Sequence, residues 1–136
     1  MNKLVERRKK WNFTPFPYEL VVILSSDVKA SFDKRFTLKR SNHCSALTMC
    51  RGDRSTMFLS LTPPINTVAH EVTHVVKNLQ EYIGAEHEEE FVAYYTGWLV
   101  SEIAKFALEK PLDKKKKVRY TKKVEATQTH AVVSST

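Results

Sequence analysis

The stretch from Thr62 to Gly84 constrains the fold more than any other part of this 136-residue chain. Thr62 can serve as an N-cap with Pro63 at the first helical position, where a missing N–H costs nothing. Gly84 supplies the stop for a helix that reaches about residue 82. Inside it, Val68, Val72, Val75 and Leu79 recur at i, i+4, i+7 and i+11, one apolar stripe that has to be covered. The segments before it supply the cover. Residues 18–25 (YELVVILS), bounded by Pro17 and Asp27, read as a buried strand. Asp27 caps a short helix over 28–34, with Val28, Phe32 and Phe36 turned inward. Residues 36–40, 43–50 and 55–61 fit further strands. Ser41-Asn42 makes one turn, and Arg51-Gly52-Asp53-Arg54 has the chemistry of a hairpin. The expectation is an α+β domain, with a small antiparallel sheet of three or four strands packed on the 62–84 helix and on a second helix over 88–109. The Arg-Gly-Asp tripeptide reads as turn chemistry rather than as an adhesion signal.

The same helix carries His70-Glu71-Val72-Thr73-His74, which fits H-E-x-x-H. Positions i and i+4 sit one above the other on a helix face, so His70 and His74 can grip one metal ion. Glu71, one residue on, can reach a metal-bound water. This is the helix half of a zinc hydrolase site, with Glu71 as general base. A hydrolytic zinc takes a third protein ligand. In the second helix, Ala93, Gly97 and Ala104 follow Glu90 at +3, +7 and +14, a smooth stripe on which another helix can lie. If that stripe packs on the HEVTH helix, Glu90 is aimed at the histidines. His87, in the acidic link 85–90, is the alternative third ligand. Glu88 and Glu89 read as charges at a helix N-terminus.

The net charge of +7 suits acidic partners, nucleic acid among them. Much of it lies at the two ends. Residues 1–16 read as a basic arm whose Trp11, Phe13 and Phe16 pin it to the body of the fold, and 111–136 as a basic, flexible tail. Within the tail Val118, Tyr120 and Val124 alternate weakly, enough for an added edge strand. The domain proper would span 17–110. No apolar run approaches 18 residues and no signal peptide is evident, so a cytoplasmic protein without a membrane span is expected. Cys44 and Cys50, about 20 Å apart along one strand, are too far apart for a disulfide and read as free thiols.

The stretch AHEVTHVV…EHEEEFVAYYTGWLVSEI, residues 69–103, resembles the small zincin-like metallopeptidases in which HExxH is followed by a second helix with E-x-x-A. ImmA/IrrE-type peptidases carry such a pattern. Small HExxH proteins encoded by bacteriophages carry one closer still, an acidic cluster leading into E-x-x-A-Y-x-x-G. The resemblance implies a minimal zincin fold, zinc, His70, His74 and Glu90 as ligands, and Glu71 as base. For a phage-encoded protein it implies the host cytoplasm or the virion as location. SprT/Spartan-like proteases are a second resemblance, through Gly84 and His87-Glu88-Glu89-Glu90-Phe91. That reading makes His87 the third ligand and suits a protease acting on DNA-bound proteins. Glu88 departs from it, standing where that family usually has glycine. The metzincin pattern is excluded, because Lys77 stands where it needs glycine and Gln80 where it needs histidine.

The expected reaction is zinc-dependent hydrolysis of a peptide bond in a protein or peptide substrate. Tyr94 or Tyr95 could donate to the oxyanion. In zincins the edge strand before the active-site helix holds the substrate backbone, and 55–61 is the candidate. Two alternatives come from other classes. One is a zincin-fold interaction or structural protein without peptidase activity. The other is a nucleic-acid-binding protein that uses its basic ends.

Overall fold

A computed structural model describes residues 3–36, 45–85 and 88–109. Its elements run β1 (Glu6–Asn12), β2 (Glu19–Ser25), α1 (Val28–Arg35), β3 (Ala46–Arg51), β4 (Arg54–Ser60), α2 (Ile65–Ile83) and α3 (Glu89–Leu108). Four strands and three helices make an α+β fold. The sheet order is β1-β2-β4-β3. It is mixed rather than antiparallel. β1 pairs antiparallel with β2, and β3 antiparallel with β4, but β2 and β4 run parallel, with Val22 opposite Met57. The return through α1 between β2 and β3 turns the chain round, so the β3–β4 hairpin docks with its second strand, not its first, beside β2.

Alternation along the strands divides the core between two faces. Leu20, Val22 and Leu24 of β2 and Met57 and Leu59 of β4 join Val68, Val72, Val75, Val76 and Leu79 of α2 and Leu99, Ile103 and Phe106 of α3. Ile23, Leu47 and Phe58 point the other way and meet Val28 and Phe32 of α1. The stripe expected on α2 is fully buried, and each of its side chains contributes about 1.5–3 kcal/mol by leaving water. Asp27 caps α1 as expected, accepting a hydrogen bond from the Ala30 N–H at 3.1 Å. Gly52 takes φ +53° in the hairpin and Gly84 takes φ +76° at the end of α2. Both are left-handed conformations that glycine adopts without a Cβ penalty.

Three expectations are corrected here. Residues 6–12 are not part of a separate arm; they form an edge strand of the sheet. Only Trp11 of that strand is buried, and the rest of its inward face is cationic. The Arg7 guanidinium lies 4.9 Å from the Phe106 ring centroid, and the Lys9 ammonium lies 5.3 Å from that of Trp11. Glu6 pairs with Arg35 at 2.7 Å and so ties β1 to α1. Second, α2 begins at Ile65 with Pro64 as N-cap, not with Thr62. Pro64 disfavours the helical conformation in the residue before it, so Pro63 cannot be the first helical residue. Third, the half of the α3 small-residue stripe nearest Glu90 does not pack on α2: Ala93 and Gly97 are exposed. Gly97 has no neighbour within 4 Å of where a Cβ would stand. Leu99, Ile103 and Phe106 face the core instead, because they bury far more apolar area.

The aromatic segment before β2 packs as expected. Phe13 is buried with its ring 5.3 Å from Tyr18 and 5.6 Å from Trp98. The expected strand over 36–40 lies, beyond Phe36, outside the described residues. So do the Ser41-Asn42 turn, Cys44, His87 and the tail 111–136. No helix among the described residues is long and apolar enough to cross a membrane.

Candidate metal centre

The α2 stripe presses against the sheet and α3, and this orientation decides what the motif presents to solvent. His70 lies about 200° and His74 about 240° round the helix from Val68, so both imidazoles are turned outward. The His70 side chain is 71% exposed, while that of Glu71, between the two faces, is 8% exposed. The imidazole centroids stand 5.1 Å apart with the rings at 78°. Ligand atoms of His70, Glu71 and His74 all lie within 4.8 Å of one another. His70 Nε2 is 3.8 Å from Glu71 Oε2.

The other carboxylate oxygen of Glu71 is held from the sheet. Thr48 Oγ1, on β3, donates to Glu71 Oε1 at 2.7 Å. Thr48, Ala46 and Cys50 share one face of β3 by alternation, and that face looks at α2. The Cys50 thiol donates to the His74 carbonyl at 3.7 Å, and burial pushes its pKa up. Below them a polar network fixes α2 against the hairpin. Asn78 Nδ2 donates to the Tyr18 hydroxyl at 2.6 Å and to the Gly52 carbonyl at 3.2 Å. The Tyr18 hydroxyl also meets Ser55 Oγ, and its pKa is raised by burial. Between β3 and α2 an open groove of about 500 Å³ is lined by Thr48, Cys50, Glu71, His74, Lys77 and Glu81 among others.

Both histidines and Glu71 therefore converge as the spacing predicts. Of the two candidate third ligands, His87 lies outside the described residues, and Glu90 does not join them. Glu90 is exposed in the first turn of α3. It is nine positions from the buried Leu99, which puts it about 180° round the helix and away from the core. The premise for aiming it at the histidines, a stripe packed on α2, does not hold. Tyr94 is 65% exposed, with its ring 5.2 Å from that of Tyr95, and does not line the groove. Tyr95 lies among Phe13, Phe91 and Trp98. The strand expected to hold a substrate, 55–61, is β4, which is internal; among the described residues the sheet edge beside the groove is β3.

The donor set fits one half of a zinc site. Two imidazole nitrogens on one zinc, at about 2.1 Å each, can be at most ~4.2 Å apart. His70 and His74 are within a small side-chain rotation of that, and the exposure of His70 leaves the rotation free. Thr48 is the partner that sequence reading missed. In HCSALTMC it looks like any β-branched strand residue, and only its parity with Ala46 and Cys50 hints at its direction. No family model, curated protein or solved structure matches the chain, so the functional reading rests on this geometry.

Proposed function

We propose that the chain is a zinc-dependent peptidase of the small zincin-like kind, hydrolysing a peptide bond in a protein substrate. The observation that carries the proposal is a nearly buried carboxylate, Glu71, set beside two solvent-facing imidazoles, with Glu71 and His74 lining an open groove. A zinc ion held by His70 and His74 would supply a polarised substrate carbonyl and a water acidified to a pKa of about 7. His70 and His74 would hold the ion through ring nitrogens, which must be unprotonated to do so. Glu71 takes the proton from the attacking water on Oε2, the oxygen that faces His70, and returns it to the leaving amine. β3, the edge strand beside the groove among the described residues, would offer its outer N–H and C=O groups to an extended peptide running along the groove. Lys77, Asn78 and Glu81 give the groove a polar wall against the substrate's side chains.

The test is metal content and cleavage measured together. The purified protein should carry one equivalent of zinc, lost in His70→Ala and in His74→Ala, and should cut members of a peptide library read by mass spectrometry. A protein that takes up no zinc refutes the proposal. A second reading, a zinc-bearing interaction protein without peptidase activity, draws support from the exposure of His70 and from the absence of a further convergent donor among the described residues. Stoichiometric zinc with no cleavage of any peptide would select it.

A further inference from the structure

The geometry points to Thr48 as a positioning residue: its hydroxyl fixes the plane of the Glu71 carboxylate so that one oxygen faces the histidine pair. The inference deepens the peptidase reading and rests on it. The Thr48–Glu71 contact of 2.7 Å is the ordinary distance for a hydroxyl donating to an oxygen and falls within the range for a charged acceptor. It occupies Oε1 and leaves Oε2 beside His70. The terminal torsion of a glutamate is soft and broad. Glu71 is buried, and Thr48 is the one side-chain donor it has among the described residues. Without that donor, no other side chain among the described residues holds the carboxylate in this plane, and it is free to turn off the histidine pair. Threonine suits the task because branching at Cβ restricts χ1, so a strand that packs tightly also presets the hydroxyl's direction.

The bond also joins two parts of the proposed machinery. Among the described residues β3 is the sheet edge along the groove, and it carries the residue that aims the base. A peptide lying along β3 would then be read by the same strand that orients Glu71, so substrate placement and base placement share one reference frame.

Thr48→Val keeps the shape and strand preference and removes the donor. Thr48→Ser keeps the donor. Thr48→Ala, which drops the branched side chain as well, guards against an effect of valine packing. The inference predicts kcat reduced roughly 10–100-fold in Thr48→Val and Thr48→Ala, the usual loss for an outer-sphere partner. KM and zinc content should stay unchanged, and Thr48→Ser should come within about threefold of the parent. Thr48→Val at parental kcat, or Thr48→Ser as slow as Thr48→Val, overturns it. Crystal structures of the parent and Thr48→Val give a readout independent of activity. A Glu71 carboxylate that rotates off the histidines in the variant supports the inference, and one that stays put overturns it. A parent that cleaves nothing, with the rotation still seen in Thr48→Val, would remove the peptidase reading and leave the positioning contact standing.

Discussion

Glu71→Gln separates the base from the fold. The amide has the size of the carboxylate, and its carbonyl oxygen can still accept from Thr48 Oγ1, 2.7 Å away in the parent. What is lost is the charge. A hydrogen bond to a charged group is worth about 1.5–3 kcal/mol and a neutral one about 0.5–1.5, so the stability cost is about 1 kcal/mol, or ~4 °C in Tm for a domain of this size. Relief from burying a charge offsets part of it. The catalytic cost is much larger. A positioned general base is worth about 10²–10⁴ in rate, which is roughly 2.7–5.4 kcal/mol of barrier. The assay pairs zinc content by mass spectrometry with kcat on a cleaved peptide and a thermal melt. The expected result is full zinc, a melt within ~4 °C of the parent and a rate at least a hundredfold lower. Zinc-loaded Glu71→Gln that cleaves within tenfold of the parent would refute the assignment. A variant that loses its zinc would make Glu71 a ligand and not a base.

Three further outcomes follow from the packing. Glu90→Ala should keep its full complement of zinc, since Glu90 lies on the solvent side of α3; zinc lost in that variant would contradict the placement. Gly97→Ala should raise Tm by a few degrees, because alanine gains about 0.5–1 kcal/mol over glycine in a helix and meets nothing at this position. A fall would mean that the small-residue stripe is packed after all. The hydrogen bond from Arg35 holds the Glu6 carboxyl at a pKa of about 2, below the usual 4.5. Because the folded value is the depressed one, the pair's stabilisation is present above pH 4.5 and is lost as pH falls through 2. Glu6→Gln should therefore melt below the parent at pH 7 and converge with it near pH 2, and a gap unchanged at pH 2 would rule out the pair as its source.

How much of this was legible depended on whether the signal was local. β2 announced itself through a β-branched run between Pro17 and Asp27, α1 through the Asp27 cap, and α2 through its valine stripe and Gly84. Each is set by contacts within a few residues. β1 was not legible, because ERRKKWN offers one buried side chain and hides its inward cations over aromatic rings contributed by distant positions. The parallel pairing of β2 with β4 depends on how the hairpin docks, which no local pattern encodes. The same non-local step made β3, and not β4, the sheet edge beside the groove among the described residues. In the site, His70, Glu71 and His74 were legible because four residues of helix fix their geometry. Glu90 was misdirected by a stripe whose small residues lost to Leu99, Ile103 and Phe106 in the competition for the core. Thr48 could be found only once β3 had been laid beside α2.

The central claim is that His70 and His74 share one zinc ion beside Glu71. Diffraction from zinc-loaded crystals, recorded on both sides of the zinc edge, tests it most directly. The account predicts one anomalous peak, about 2.1 Å from a ring nitrogen of each histidine, with Glu71 Oε2 outside bonding distance. A map with no peak between those rings, or with the zinc bound elsewhere on the chain, would contradict it.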